Sequence, residues 1–167
     1  MKKIICFLCL IILTLSFGAC DPGILPVTPE TLTDITSIEL IEYTNPEQKH
    51  FNSWVPDHSD DLVPFDFSKM TILETLPEER LTDFKDAFTQ TDILYLYYAY
   101  DSPADICIKA NRENGNFLIV WANYKRGSFG GYIGEFTQDG AVWSFWGTFS
   151  SLSYYEDLVN NFFTYQI

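Results

Sequence analysis

The stretch DICIKANRENGNFLIVWA, residues 105–122, decides the fold, because two apolar segments flank a turn signal within it. Asn114-Gly115 is the dipeptide most typical of a two-residue β-hairpin turn, and the flanking segments are rich in strand-forming residues. Counting outward from such a turn places Ile108 opposite Trp121. In this register one face of the hairpin carries Ile106, Ile108, Ala110, Phe117, Ile119 and Trp121. The shared apolar face favours this register, since a slip of one residue would turn every side chain to the other side.

A second hairpin is predicted around Asp139-Gly140, which gives the same turn signal. The same counting sets Phe145 opposite Gly134, on a face that we expect to pack beneath a helix. Ile133 and Trp146 then lie on the opposite face of the predicted sheet.

Two helices are predicted from apolar residues that recur at helical spacing. Residues 77–90 place Leu81, Phe84 and Phe88 on one stripe. Residues 153–165 carry a broader stripe, made of Tyr155, Leu158, Val159, Phe162 and Phe163. We expect both stripes to be part of the core.

The predicted elements together indicate an α+β domain. Beside the two hairpins, strands are predicted at residues 34–43, 70–76 and 93–100. We expect a mainly antiparallel sheet of five or six strands with the two helices packed on it. The 14 Phe, 10 Tyr and 4 Trp residues of the chain supply enough large rings for such a core.

Residues 1–19 have the three-part shape of a secretory signal peptide. Lys2 and Lys3 give a positive start, an apolar run follows over residues 4–15, and small residues precede Cys20. The apolar run is shorter than the roughly 20 residues that a membrane-spanning helix needs. This segment predicts export from the cytoplasm.

The end of this segment, Phe17-Gly18-Ala19-Cys20, resembles the lipobox of bacterial lipoproteins. In that family a pair of small residues precedes a cysteine that becomes lipid-modified at the new N-terminus. Gly18, Ala19 and Cys20 match this pattern, whereas Phe17 stands where the family usually has Leu. The resemblance implies a lipid anchor at Cys20 on the extracytoplasmic side of a bacterial cell membrane. The alternative is an ordinary secretory signal that is cut after Gly18.

Residues 20–33 are expected to be the lipid-attachment cysteine and a Pro-rich tether. Pro22, Pro26 and Pro29 interrupt a segment without apolar periodicity, which is typical of an extended linker. Residues 34–167 are then expected to form a single domain.

The net charge of the chain limits the kinds of molecule that the protein is expected to bind. The sequence has 23 acidic and 10 basic side chains, which gives a net charge of −13. Such a surface repels nucleic acid, so no nucleic-acid partner is expected. It also repels anionic head groups, so attachment to a membrane would come from acyl chains. The acidity suits a basic protein partner or a cation, and solubility is the simpler explanation.

No arrangement typical of catalysis, a cofactor or a metal stands out. Residues 127–130 lack the spacing of a serine nucleophile elbow, and no cysteine and histidine cluster has zinc spacing. Cys107 lies in the middle of a predicted strand, which favours a buried structural cysteine over a thiol nucleophile. We therefore expect no catalytic residue, no metal and no cofactor. A pair of carboxylates, as in glycoside hydrolases, remains an alternative because nothing singles out one pair among the acids.

Large aromatic rings crowd both faces of the predicted sheet, whereas the helices cover one face. An uncovered aromatic face would be a recognition surface for a protein, peptide or carbohydrate. Its expected members are Trp146, Ile133 and Tyr124. The alternative is that the loop of residues 47–66, with Trp54, covers that face.

These patterns predict a membrane-anchored extracytoplasmic lipoprotein with a non-catalytic binding or accessory role. The alternatives are a secreted hydrolase that uses carboxylates and a carrier that holds an apolar ligand between helix and sheet. An exposed aromatic surface would favour the first, a cleft with two facing carboxylates the second, and an enclosed apolar cavity the third.

Overall fold

The computed structural model describes residues 24–26, 29–44, 50–51, 64–89, 92–94, 100–101, 105–122, 131–149 and 152–167. The strands within these ranges are β1 (Ile24–Pro26), β2 (Ile35–Tyr43), β3 (His50–Phe51), β4 (Met70–Thr75), β5 (Asp92–Leu94), β6 (Tyr100–Asp101), β7 (Asp105–Arg112), β8 (Phe117–Ala122), β9 (Gly131–Phe136) and β10 (Val142–Phe149). The α-helices are α1 (Leu81–Thr89) and α2 (Leu152–Phe162), and short 3-10 helices span Pro29–Leu32, Phe67–Lys69 and Glu78–Arg80.

Eight of the described strands form one sheet in the order β1-β5-β10-β9-β8-β7-β2-β4. Every described pair of neighbours in it is antiparallel. β2, β4, β7, β8, β9 and β10 are the long strands, and β1 and β5, of three residues each, extend the sheet at one edge. The predicted α+β fold, with an antiparallel sheet and two helices, is confirmed.

Both helices pack on one face of the sheet, and their predicted apolar stripes are buried. Phe84 and Phe88 of α1 lie in the same cluster as Tyr155 and Leu158 of α2, against side chains of β2, β7 and β8. Burying one large apolar side chain stabilises a fold by about 1.5–3 kcal/mol. These rings therefore hold the helical layer on the sheet.

Polar contacts fix the position of α2. The Tyr155 hydroxyl donates to the carbonyl of Ile106 at 2.6 Å, which ties the helix to β7. The Arg80 guanidinium donates to the carbonyls of Asn161 at 2.8 Å and Phe162 at 3.2 Å. These carbonyls are at the C-terminal end of α2, where a cation also interacts favourably with the helix dipole.

The turn of the first hairpin has three residues rather than the two that were predicted. The N–H of Gly115 donates to the carbonyl of Arg112 at 3.1 Å, and the N–H of Arg112 donates to the carbonyl of Asn116 at 2.8 Å. Gly115 has a φ of +87°, whereas Asn114 keeps a negative φ. This is a type I turn followed by a glycine bulge, which an Asn-Gly pair also allows.

The longer turn shifts the predicted register by one residue. Ile108 pairs with Val120, and Cys107 pairs with Trp121. The predicted pairing of Ile108 with Trp121 is therefore wrong, and the two strands contribute different faces from those expected. The helix-covered face holds Ile108, Ala110, Leu118, Val120 and Ala122, and the second face holds Cys107, Phe117, Ile119 and Trp121.

The second hairpin has the same type of turn. However, the face of this hairpin that was predicted to pack beneath a helix lies on the other side of the sheet. Gly134 pairs with Phe145 as predicted. However, a Cβ added to Gly134 would lie 3.3 Å from the rings of Trp121 and Phe136, which belong to the second face. Ile133 lies in the helix-covered cluster instead. The side chains of residues 142–149, which include Trp143 and Trp146, lie outside the described residues.

Part of the expected tether belongs to the folded domain. Ile24–Pro26 forms β1, which pairs with β5. Leu32, at the end of the first 3-10 helix, is 2 % exposed and packs in the helix-covered core. A Pro is tolerated in such an edge strand because its missing N–H can face away from the ladder. The described part of residues 20–33 therefore contains a strand and a 3-10 helix.

The second face is covered at its centre by residues 64–66. Phe65 stacks on Tyr43 with ring centroids 4.3 Å apart and meets Phe117 edge-on at 5.2 Å. Its N–H donates to the carbonyl of Gly140 at 2.7 Å, which binds this segment to the tip of the second hairpin. The close approach requires a glycine, because a Cβ at position 140 would lie 2.2 Å from the carbonyl oxygen of Phe65.

Gly140→Ala should destabilise the protein more than Gly115→Ala. Both glycines have a φ of +87°, so each substitution adds the same left-handed backbone strain, about 1–2 kcal/mol. At Gly140 the new methyl group also meets backbone, whereas at Gly115 the nearest atom is the end of the Gln138 side chain at 3.0 Å. Denaturant unfolding of the two variants measures the difference. Equal losses would contradict the docking of Phe65 on the hairpin tip.

Candidate functional site

The second face does not present an exposed aromatic surface in the part that the structure describes. Tyr43, Phe117, Trp121 and Phe136 are all buried there. The alternative in which the loop of residues 47–66 covers this face agrees with the position of Phe65 at the end of that loop.

Of the three residues predicted for a binding surface, only Ile133 has a described side chain. Ile133 has no exposed area and lies in the helix-covered core, so its assignment to a binding face is wrong. The error follows from the inverted face of β9. Tyr124 and Trp54 lie outside the described residues, as does the side chain of Trp146. Cys20 also lies outside them.

A buried lysine on the second face belongs to a network that crosses the sheet. Lys109 is 8 % exposed, and its Nζ lies 2.9 Å from Oε2 of Glu39 on the neighbouring strand. The ammonium also donates to Asn111, whose amide donates to the Ser37 hydroxyl at 3.0 Å. It lies 5.3 Å from the centre of the Phe117 ring, within cation–π distance. These contacts pair and hydrogen-bond the ammonium group of Lys109 within the domain, which indicates a structural role for this residue.

An arginine on the opposite face joins two carboxylates. Arg112 Nη1 donates to Asp34 and, at 3.3 Å, to the carbonyl of Thr31. Its Nε lies 3.3 Å from Oε1 of Glu135 on β9. Because one guanidinium holds both carboxylates, they do not form the acid and base pair that flanks a scissile bond in a glycoside hydrolase.

The carboxyl groups with a shifted pKa cap turns. Hydrogen bonds from the Ser68 hydroxyl and N–H lower the pKa of Asp66, and a hydrogen bond from the Thr137 hydroxyl lowers that of Asp139. A general acid needs a shift in the opposite direction. Burial raises the pKa of the Tyr43 phenol, whose oxygen accepts from the N–H of Asp66 at 2.9 Å. Asp66 and Tyr43 act at the turn that follows Phe65, and Asp139 acts at the tip of the second hairpin, to which Phe65 is bound.

The cavities give no preformed space for an apolar ligand between α1 and the sheet. The cavity lined by Phe84, Phe88, Ile38 and Ile108 measures about 10 Å³, the size of a single water at most. A more open groove of about 250 Å³ lies between the two helices, beside Tyr154 and Asp157. The described packing therefore disfavours the carrier alternative at this position.

Neither a metal site nor a membrane span is found among the residues that the structure describes. They contain no group of three or more histidine, cysteine or acidic side chains placed to hold a metal ion. In the same ranges, no helix combines the length and apolar character that crossing a membrane requires.

An exposed apolar surface lies where the sheet ends at β4. Ile72 and Leu73 are 48 % and 38 % exposed, and Phe67 just before the strand is 41 % exposed. We call these three side chains, together with the outer backbone of β4, the edge surface. The tail of the chain runs beside it, because Glu74 accepts hydrogen bonds from the Thr164 N–H at 2.8 Å and hydroxyl at 2.7 Å.

The backbone of β4 has hydrogen-bonding groups that point away from β2. The Thr44 N–H donates to the Lys69 carbonyl at 3.2 Å, so the first pair of the ladder, Tyr43–Met70, shares no mutual hydrogen bonds. Pairs alternate along an antiparallel ladder, so Ile41–Ile72 is of the same kind. The N–H and C=O of Ile72 therefore point to the open side. Among the described residues, no backbone hydrogen bond of a turn, loop or cap involves these two groups.

The sequence predicted β4 as a strand but not its place at the edge. Thr71-Ile72-Leu73 has no polar and apolar alternation that would assign one face to solvent. Its edge position comes from the strand order, in which β2 pairs with β7 on one side and β4 on the other. The one available signal was that β4 is flanked by acidic and turn-forming residues.

Comparison of the chain with protein-family models, with curated protein sequences and with solved structures finds no match in any of the three.

Lys109→Met should destabilise the protein by about 3 kcal/mol, because it leaves Glu39 without its cation in a nearly buried position. Adding Glu39→Leu to this variant should restore most of the loss, since an apolar pair can replace a buried ion pair. Lys69→Met, at an exposed lysine, is the control and should change stability by less than about 0.5 kcal/mol. Chemical unfolding measures all three. A further loss in the double variant would show that Glu39 has a separate role.

Proposed function

We propose that the protein is a lipid-anchored extracytoplasmic lipoprotein with a non-catalytic binding role. The observation that carries the proposal is Gly18-Ala19-Cys20 at the end of a basic and then apolar segment. That order of residues is what a signal peptide with a lipobox requires.

The length of chain after Cys20 supports a domain held close to a membrane. Three residues, Asp21 to Gly23, separate Cys20 from β1. Fully extended, they span roughly 10 Å. An acidic domain is repelled by anionic head groups, so acyl chains would supply the attachment, at about 0.8 kcal/mol for each buried CH₂ group.

A binding role agrees with the described side chains better than catalysis does. The charged groups that are nearly buried, Lys109 and Arg112, hold strands together. The edge surface, by contrast, leaves apolar side chains and backbone groups open to a partner. Exposed apolar area of this kind on a soluble domain indicates an interaction site.

Mass spectrometry of the membrane fraction should find an N-terminal peptide that begins with an acylated Cys20. Cys20→Ala should remove the modification and release the processed protein from the membrane or block processing. Cys107→Ser, at a buried cysteine within the domain, is the matched control and should leave the modification unchanged. An unmodified peptide that begins at Ala19 would contradict the proposal and indicate simple secretion.

A further inference from the structure

We propose that the edge of β4 is a strand-addition site for an extended, basic and apolar segment of another protein. The inference deepens the binding role proposed above by naming the surface, the mode of binding and the chemistry of the partner. In this mode the added strand pairs with the exposed backbone, and its alternate side chains contact apolar residues beside the edge.

The two edges of the sheet differ in their capacity to accept a strand. β1, at one edge, has three residues, and very short edge strands are a common protection against pairing. β4, at the other edge, has six residues, and Thr71, Ile72, Leu73 and Thr75 are exposed. The outward backbone groups of β4 are the carbonyl of Met70 and the N–H and C=O of Ile72, because the Met70 N–H donates to the Phe67 carbonyl and the register with β2 shifts beyond Ile72.

The side chains next to this edge are those that a docked strand would cover. Ile72 is the register partner of Ile41, which belongs to the second face, so Ile72 lies on that side of the edge. The Phe67 ring packs edge-on against Phe117 at 5.5 Å and leaves 41 % of the residue exposed. The Phe67 ring is therefore fixed on one side by the core, and both side chains offer exposed area to a partner.

The charges around β4 select a basic occupant. Asp66, Glu78 and Glu79 flank the strand in sequence, and Glu42 lies beside Thr71 on the neighbouring strand; all four are exposed. Lys69 is the one basic residue between positions 66 and 79. The whole chain has a net charge of −13. A second copy of the chain would bring like charges together at this edge, whereas lysines and arginines on a partner would meet opposite charge.

The strand order also places the β4 edge at the opposite end of the sheet from β1, which follows Cys20. β1, which follows Cys20 closely, and β4 are the two ends of an eight-stranded sheet. Neighbouring strands are about 4.8 Å apart, so seven spacings put the edges roughly 34 Å from each other along the sheet. If Cys20 carries a lipid, β4 is the edge farther from the anchor in the strand order.

The test uses the full-length exported protein, solubilised in detergent, and a fluorescent peptide that alternates Lys and Val over the six-residue length of β4. Fluorescence anisotropy at physiological salt should show saturable binding by the wild-type protein. Ile72→Lys should weaken binding at least about tenfold, since it adds a positive charge at the centre of the edge. Thr82→Lys, at an exposed position of α1, makes the same change in net charge and should alter the affinity less than about twofold.

A second peptide distinguishes binding by strand pairing from non-specific electrostatic attraction to an acidic protein. It has the same side chains but carries methyl groups on the backbone nitrogens that would face β4. Equal binding of the two peptides to the wild-type protein would overturn the proposal even if Ile72→Lys did not fold. Equal weakening by Ile72→Lys and Thr82→Lys would overturn it as well. So would light scattering that shows a dimer, with the Ile72 amide protected from hydrogen exchange in the absence of peptide, because a second copy would then occupy the edge.

The outcome is distinguishable from that of the proposed anchor. Loss of peptide binding with an acylated Cys20 overturns the strand-addition site alone. Normal peptide binding by a protein with an unmodified Cys20 overturns the anchor alone.

Discussion

The backbone conformation of Gly115 determines which side chains of the central strands face the helices. Its φ of +87° closes a three-residue turn between β7 and β8. That turn sets Cys107 opposite Trp121 and Ile108 opposite Val120. A turn one residue shorter would shift the pairing of the two strands by one residue. Because side chains alternate along a strand, the side chains of one strand that face the helices would then lie on the other face of the sheet. The composition of both cores therefore depends on this loop.

Both faces of the sheet are buried around these strands, by different means. The two helices cover one face with aliphatic and aromatic side chains. On the other face Phe65 reaches over Tyr43 and Phe117 and is bound to the tip of the second hairpin through Gly140. Lys109 is accommodated there because Glu39 and Asn111 engage its ammonium group. A sheet that is buried on both faces offers a partner its edges, which is why β4 is the candidate surface.

Apolar spacing predicted the helices and the long strands, because the stripe of Phe84 and Phe88 and the segments of the first hairpin are long enough to show a period. The register was not predictable in the same way. Asn114-Gly115 fits a two-residue turn and also a three-residue turn with a glycine bulge. Residues 117–122 are apolar on both faces, so the pattern of this strand fits either register. Ile133 was placed on a surface for a separate reason, because the wrong face of the second hairpin was assigned to the helices.

The place of β1 and the edge surface could not be predicted, for a different reason. Three residues, Ile24–Pro26, carry no period, and their pairing with β5 is a long-range contact. Likewise, Ile72 and Leu73 are exposed because of where β4 falls in the strand order. The candidate site was therefore missed because it follows from topology, which no local pattern in this chain encodes.

Labelling of Cys107 with a thiol reagent measures whether the second face is buried. The thiol lies in the cluster of Trp121 and Tyr43 and has no exposed area. Peptide mapping after brief treatment of the folded protein should find Cys107 unmodified, and denaturation should make it react fully. A Thr82→Cys variant supplies the rate of an exposed thiol for reference. If Cys107 in the folded protein reacts as fast as that thiol, the second face is open and the account of the edge as the binding surface is contradicted.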